Sequence, residues 1–400
     1  MVEFLISKGF NVEEANYVRN CYGLSSYKDD SLLEHTKEVY EWLTNKGYSE
    51  EDIIKMIKMA PTLFGYNTSK LDSRIKEYVK LGFTEEDIIK MIKTLPNLLT
   101  LSSININDKI KDLKKLGYTK KASIKMMKSQ PSVFTYSKEN KETKFDDLVE
   151  LGYKKKEIKK MSKIFPPIYG LDIDNIKSKF SYLEGLGYTH DEAIKMTVLL
   201  PSILGLTIKD IDNKINNIVS FGYEKEAVLH MIKSLPSLMA YNEISLKEKH
   251  DNIIKIGYNE QDVIKMCKRT PQLYSYDITS MKNKIDHIKN HNYSEEQALN
   301  MTLVLPAIYG LSIDNINNKL DFYDSIGLHN LSIMDPKQLM QSVELSYARY
   351  SYYKNRGIEI NMKTYKKLFI SSKEFKYIYH IEKDDLLKMY PYDNVKEKIK

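Results

Sequence analysis

A repeat of constant length decides what this chain can fold into. A glycine followed by an aromatic residue recurs every 35 residues, from Gly47-Tyr48 to Gly257-Tyr258, and Asn292 and Gly327 begin weaker copies. A proline column keeps the same register, and a methionine lies five residues before each of its prolines: Pro61, Pro96, Pro131, Pro166, Pro201, Pro236, Pro271 and Pro306. Eight repeats therefore run without a gap from residue 48 to residue 327, and we number them 1 to 8.

Each repeat has the pattern of two helices joined by a proline turn. In repeat 2, Thr84 and Asp87 predict a capped helix whose apolar face ends at Pro96, and we name this first helix A. After a short apolar turn, every repeat has a polar residue suited to cap a second helix, helix B. Helix B is expected to end at a left-handed glycine such as Gly117. The polar cap residues are Asn67, Ser102, Ser137, Asp172, Thr207, Asn242, Asp277 and Ser312.

Such a helix pair has more apolar surface than it can cover by itself. Neighbouring repeats must therefore stack, which predicts an all-α solenoid with atypical repeats at its ends. Residues 1–47 form a degenerate N-terminal capping repeat, since Gly9-Phe10 is followed by no proline. Residues 48–327 hold the eight repeats. In residues 328–400 the register is lost while helical character persists, which predicts a helical C-terminal cap.

The composition excludes several classes of protein. Hydrophobic residues make up 42% and charged residues 29% of the 400 residues, and no apolar run approaches the ~20 residues of a membrane span. Cys21 and Cys267 are the only cysteines, which excludes a disulfide framework or a thiolate zinc site. Residues 1–20 contain Glu3, Glu13 and Glu14, which suits neither a secretory signal nor a transit peptide. We expect a cytoplasmic protein, or a mitochondrial one if a presequence has been removed.

The repeat pattern resembles that of a known family. The consensus G-[YF]-[ST]-x-x-[DE]-[IV]-[IL]-K-M before the proline and P-x-[LI]-[FYL] after it resemble the motif of the mitochondrial transcription termination factor (mTERF) family. The resemblance covers all eight repeats, and residues 346–357 and the stretch around Phe375 resemble its closing helices. Tetratricopeptide and pentatricopeptide repeats fit less well, because they lack the proline column.

The resemblance implies a fold and a function. Family members form a half-ring superhelix of repeats, each with two α-helices and a 3₁₀ turn, and a basic concave path takes duplex DNA or, in some members, RNA. Members are chiefly mitochondrial or plastid proteins. This sequence departs from that pattern, since no transit peptide is visible and arginines suited to read guanine are scarce.

Three columns of cations run through the repeats. The third column lies in helix B, beside the apolar stripe, and is cationic in every repeat, which favours contact with a phosphate backbone. The second column lies in helix A, and for it a binding role and a packing role are both open. The first column, from Lys55 to Lys265, often has an acid four residues earlier and is interpreted as a solvated face. The third column is Arg74, Lys109, Lys144, Lys179, Lys214, Lys249, Lys284 and Lys319; the second is Lys58, Lys93, Lys128, Lys163, Lys233 and Lys268.

Aromatic residues give a second, weaker signal. Those that follow the proline, such as Phe64 and Tyr274, alternate with leucine or methionine and therefore predict core rather than base stacking. In the tail, Arg349 and Arg356 lie among tyrosines and lysines, and this cluster could be a further nucleic-acid contact or a capping helix.

No pattern of residues suggests catalysis. The eight histidines lack metal-ligand spacing and no glycine-rich phosphate loop is present, so we expect neither an enzyme nor a cofactor or metal. The net charge of +7 leans basic without deciding the question. We predict a monomer that binds double-stranded DNA in transcription termination, transcription regulation or genome maintenance. An RNA-binding solenoid and a protein-interaction scaffold are the alternatives.

Overall fold

The structure of the chain is a computed structural model that describes residues 1–21, 24, 28–101 and 103–392. Within these ranges every regular element is an α-helix or a 3₁₀ helix, and none is a strand, which confirms the predicted all-α class. The predicted cap Ser102 and residues 393–400 of the predicted C-terminal cap lie outside the described residues. No helix in the described ranges is both long and apolar enough to cross a membrane.

The eight repeats have the predicted order of helix A, 3₁₀ turn and helix B. Helix A spans Glu50–Met59, Glu85–Thr94, Lys120–Ser129, Lys155–Ile164, His190–Leu199, Lys225–Ser234, Glu260–Arg269 and Glu295–Val304. The turn is a short 3₁₀ helix over Pro61–Gly65, Pro96–Thr100, Pro131–Phe134, Pro166–Gly170, Pro201–Gly205, Pro236–Ala240, Pro271–Ser275 and Pro306–Gly310. Helix B spans Thr68–Leu81, Ser103–Lys115, Lys138–Glu150, Ile173–Gly185, Ile208–Val219, Glu243–Ile254, Ile278–Lys289 and Ile313–Ser325.

Local chemistry fixes where these helices begin and end. Thr84 Oγ1 accepts from the Asp87 backbone N–H at 3.1 Å, and the Asp87 carboxylate accepts from the Thr84 N–H, as the capping-box pattern predicts. Gly117 has φ +85°, the left-handed conformation that closes helix B, and Asn292 adopts it at φ +64° in place of glycine. Six of the predicted helix B caps accept a backbone N–H, namely Asn67, Ser137, Asp172, Asn242, Asp277 and Ser312.

The chain packs as two compact halves, residues 1–208 and residues 209–400. In the N-terminal half, helices A of repeats 1 to 5 each pack against the next one along the chain. In the C-terminal half, helices A of repeats 6 to 8 and helices B of repeats 7 and 8 pack in the same manner. Within each half, consecutive repeats therefore cover each other's apolar faces, as the solenoid prediction requires.

The core joins neighbouring repeats through tyrosines as well as aliphatic side chains. Tyr118 begins repeat 3 and is buried, and its hydroxyl lies 2.6 Å from Ser162 Oγ and 2.5 Å from the Tyr169 hydroxyl, both in repeat 4. Phe64 and Tyr274, which follow their prolines, are fully buried, which confirms that these aromatic positions are core. Each of these three buried hydroxyls thus has a partner in an apolar setting, as buried polar groups require.

The ends of the chain are helical too. The N-terminal segment contains Val2–Ser7, Val12–Asn20 and Asp29–Asn45. After repeat 8, the chain forms one more helix, 3₁₀ turn and helix, over Leu331–Met334, Pro336–Met340 and Val343–Lys354. Pro336 follows Pro306 by 30 residues instead of 35, and the first helix has only four residues, so a shortened helix A explains the lost register. The tail ends with Tyr365–Phe369, Ser372–Tyr379 and Lys383–Met389.

Candidate nucleic-acid interface

The third column of cations lies between repeats rather than on an open face. In five of its members the side-chain ammonium donates to a backbone carbonyl in, or just after, the 3₁₀ turn of the following segment. Lys109 Nζ lies 2.7 Å from the Tyr136 oxygen, and Lys284 Nζ lies 2.6 Å from the Tyr309 oxygen. The other pairs are Lys179 with Leu204, Lys214 with Tyr241 and Lys319 with Leu339.

Burial shows how far these side chains are withdrawn from solvent. Lys179 and Lys319 are each 3% exposed. Lys179 Nζ lies 2.8 Å from the Leu204 oxygen and 2.7 Å from Asn175 Oδ1, so two acceptors surround its ammonium. Burial lowers the pKa of Lys179, Lys284 and Lys319, because removing an ammonium from water disfavours its charged form.

The remaining members of the column also have partners within the protein. The Arg74 guanidinium pairs with Glu77, and Lys144 Nζ lies 3.3 Å from the Asp147 carboxylate. Lys249 Nζ lies 5.1 Å from the centre of the Tyr241 ring, a cation–π contact. The prediction that the lysines of this column reach outward to a phosphate backbone is therefore wrong for five of them. In these five, the ammonium group donates to a carbonyl of the next turn. The reason is that each 3₁₀ turn leaves carbonyl groups that need a donor.

A buried lysine that the columns do not include lies beside this arrangement. Lys141 is fully buried, and its Nζ lies 3.3 Å from the Tyr136 oxygen that also accepts from Lys109. Burial, and secondarily the charge of Lys109, lowers the pKa of Lys141 to about 8. Asp112 and Glu139 oppose this shift only in part. The charged form of Lys141 therefore destabilises the fold at neutral pH.

Replacing this lysine by Lys141→Met is expected to stabilise the protein at pH 7. A folded pKa of about 8, below the unfolded value near 10.5, means that the unfolded chain binds more protons between these two pH values. The contribution of Lys141 to stability therefore rises with pH through that window. Chemical denaturation at pH 7 and pH 10 should show a gain of about 2 kcal/mol for the variant at pH 7 that shrinks at pH 10. An equal or larger gain at pH 10 would contradict this assignment.

Four of the six lysines of the second column form ion pairs with acids of a preceding segment. Lys93 Nζ lies 2.7 Å from Asp52 of repeat 1, and Lys128 pairs in the same way with Asp87 of repeat 2. Lys58 pairs with Glu14, and Lys268 lies 3.5 Å from Glu224. Lys233 is half-buried and also has an interaction partner. These ion pairs favour the packing role over the binding role for most of this column.

Lys163 differs from the rest of the second column. Asp52 precedes Lys93 by 41 residues and Asp87 precedes Lys128 by 41, but the equivalent residue for Lys163 is Ala122. Lys163 is exposed, and in the described part of the chain no carboxylate lies within ion-pairing distance of it.

In the first column, Lys55 and Lys90 pair with Glu51 and Glu86 at 2.6 and 2.7 Å, which agrees with a solvated face.

The strongest concentration of cations lies on helices A of repeats 3 and 4, and most of these lysines belong to none of the three columns. We name it the repeat 3–4 lysine surface. Eight of its ten lysines are exposed, and Lys128 and Lys159 are half-buried. The local runs KKASIK and KKKEIKK are the signal that could have identified it. Its members are Lys120, Lys121, Lys125, Lys128, Lys154, Lys155, Lys156, Lys159, Lys160 and Lys163.

The two arginines of the tail have different environments. Arg349 is 1% exposed, and its Nη1 donates to the Leu368 oxygen at 2.7 Å and to Gln341 Oε1 at 3.3 Å. Its guanidinium also lies 5.2 Å from the centre of the Phe375 ring. Arg356 is exposed and stacks on Tyr352 at 3.8 Å. Arg349 therefore belongs to the capping structure, and of the two only Arg356 faces solvent.

Other titratable groups offer little reactive chemistry. Burial raises the pKa of the Cys267 thiol to about 12, so this thiol stays protonated and is a poor nucleophile. Burial lowers the pKa of His250, whose Nδ1 lies 2.9 Å from the Tyr274 hydroxyl. Over the residues that the structure describes, no group of three or more His, Cys, Asp or Glu side chains could hold a metal ion.

Comparison with known proteins agrees with the repeat architecture. The sequence model of the mTERF family matches residues 29–111, 100–220 and 186–376, which together cover most of the chain. No curated protein matches the sequence. The family match spans all eight repeats and the shortened ninth segment, and it points to nucleic-acid binding as the general function. The chain belongs to the mTERF family.

Proposed function

We propose that this protein binds double-stranded DNA by contacts to its phosphates, as a non-catalytic factor in transcription termination, transcription regulation or genome maintenance. The observation that carries the proposal is the repeat 3–4 lysine surface, where nine lysines lie on two adjacent helices, Lys154 precedes the second helix, and Glu157 is the only acid. Lysine ammonium groups are strongly hydrated point charges that suit phosphate oxygens and do not read base edges in a fixed geometry. The proposal is therefore of binding with little direct reading of sequence.

Binding through phosphates predicts a steep dependence of affinity on salt. Each phosphate that a lysine neutralises releases condensed counterions, so the logarithm of affinity falls with the logarithm of salt concentration by about 0.9 per contact on duplex DNA. For about five contacts, we expect a slope of roughly −4 to −5. Titration of a labelled duplex at several salt concentrations measures it. No binding at low salt, or a slope near zero, would refute the proposal and favour a protein-interaction scaffold.

Competition between nucleic acids tests the preference for duplex DNA. Unlabelled DNA and RNA duplexes, and single-stranded RNA, all of matched length, compete for the protein against a labelled DNA duplex. We expect the DNA duplex to compete best, because the family resemblance favours it. A better competition by either RNA would replace the DNA assignment by RNA binding while leaving the phosphate contacts in place.

A further inference from the structure

We propose that helices A of repeats 3 and 4, and not the helix B column, form the phosphate-contacting surface of this protein. The inference rests on the proposed function and adds the place of contact. It follows from which cations the fold leaves available. Five lysines of the third column donate to carbonyls of the following turn, as for Lys109 and Lys179, whereas eight of the ten lysines of the repeat 3–4 lysine surface are exposed.

The charge of this surface is not neutralised within the protein. Over the residues that the structure describes, Lys128 is the only one of these ten lysines that forms an ion pair, and its partner is Asp87. The surface has a single acid, Glu157, whose carboxylate accepts from the Lys154 backbone N–H at 2.9 Å and so caps its own helix. The lysines lie on neighbouring helices that pack together in the N-terminal half. Close like charges that no carboxylate compensates repel each other, and an external polyanion would relieve that repulsion.

Acidic helix ends bound the surface on both sides. Helix A of repeat 2 begins with Glu85, Glu86 and Asp87, and helix A of repeat 5 begins with His190, Asp191 and Glu192. Each of these helices packs against the neighbouring helix of the lysine surface. A phosphate backbone that continued along the row of helices A would meet carboxylates at either side. The contact is therefore confined to two repeats.

The size of the surface sets the number of contacts. A ten-residue helix is about 15 Å long, and adjacent helices lie about 8–10 Å apart, so the surface measures roughly 15 by 20 Å. Duplex DNA carries one charge per about 1.7 Å of its axis, and about half of its phosphates face any one side, which gives about five contacts over this distance. The surface thus accounts for nearly all of the expected salt dependence.

Two matched quadruple variants test this assignment. The first changes Lys121, Lys125, Lys156 and Lys160 to glutamine, on the lysine surface. The control changes Lys70, Lys76, Lys80 and Lys177 to glutamine, which removes the same charge from exposed positions of helix B in the same half. All eight lysines are exposed, so both variants are expected to fold, and thermal unfolding of each checks this.

The first variant is expected to lose three to four units of the salt slope and about 100-fold or more in duplex affinity near 0.1 M salt. The control should keep the slope and lose only the small part that total charge contributes. Equal losses in both variants, or a greater loss in the control, would overturn the assignment. Failure of the unmodified protein to bind duplex DNA at low salt would instead refute the proposed function, so the two results are distinguishable.

Discussion

A variant with methionine in place of Lys109, Lys179, Lys284 and Lys319 is expected to unfold more easily while its salt dependence of DNA binding stays the same. Methionine keeps the apolar stem but cannot donate to the Tyr136, Leu204, Tyr309 and Leu339 carbonyl oxygens. A carbonyl left without a donor costs about 1–3 kcal/mol, and relief of the buried ammonium offsets part of that cost. The Tyr136 oxygen keeps Lys141 as a donor, so the loss at Lys109 should be small. We expect a net loss of about 1 kcal/mol at each of the other three sites, and the separate sites should add to about 3 kcal/mol.

Urea unfolding and DNA titration of the same variant separate its two effects. A lower unfolding midpoint with an unchanged salt slope is the expected pair of results, measured at a temperature where the variant stays folded. Single variants of each lysine show whether the losses add. An unchanged midpoint together with a slope reduced by about one per substitution would instead identify these lysines as phosphate contacts.

Removal of the buried guanidinium by Arg349→Ala should have the largest effect of any single substitution considered for this chain. The change leaves Gln341 Oε1 without its donor, removes one of the two donors to the Leu368 carbonyl, and opens a cavity beside Phe375. Together these losses are expected to cost about 3–5 kcal/mol. The cost should fall on the segment from Tyr365 to Met389, because Arg349 ties that segment to the helix Val343–Lys354.

Hydrogen exchange locates the effect of this substitution. Amides of the helix Ser372–Tyr379 should lose protection in the Arg349→Ala variant, while those of repeats 1 to 3 should keep theirs. Arg356→Ala is the matched control, since Arg356 is exposed and stacks on one ring, and it should cost about 0.5–1 kcal/mol. Similar losses of protection in both variants would contradict the structural role assigned to Arg349.

The features that could be predicted from the sequence are those that depend on neighbouring residues. The capping residues Thr84 and Asp87, the proline that ends helix A and the left-handed Gly117 all act within a few positions along the chain. A fixed period then repeats the proline in all eight repeats, and the capping residue and the glycine in most of them. The helical repeat and most helix ends therefore follow from the sequence.

The partners of the helix B lysines could not be predicted in the same way. Lys179 and Lys109 bond to carbonyls 25 and 27 residues further along the chain, in a turn that packs beside them only after the repeats have stacked. A helical wheel places such a side chain relative to its own helix and carries no information about that turn. A cation that recurs in every repeat is equally compatible with a row of ligand-binding residues and with a contact between neighbouring repeats.

The ion pairs of the second column left a signal in the sequence. Lys93 pairs with Asp52 and Lys128 pairs with Asp87, and in both cases the acid lies 41 residues before the lysine. At the equivalent position for Lys163 the sequence has Ala122, which cannot form an ion pair. The lysine surface itself is visible as local charge rather than as a column. Comparison of net charge between equivalent helices would have identified repeats 3 and 4.

Chemical footprinting of lysines with and without a bound DNA duplex tests the central claim most directly. Acetylation of amines, read by mass spectrometry, reports the accessibility of each lysine in the unmodified protein. We expect Lys121, Lys125, Lys156 and Lys160 to lose reactivity when the duplex binds, while Lys70, Lys76 and Lys177 keep theirs. Lys179 and Lys319 should react poorly in both conditions because they are buried. Protection of the helix B lysines with an unchanged repeat 3–4 lysine surface would contradict the account.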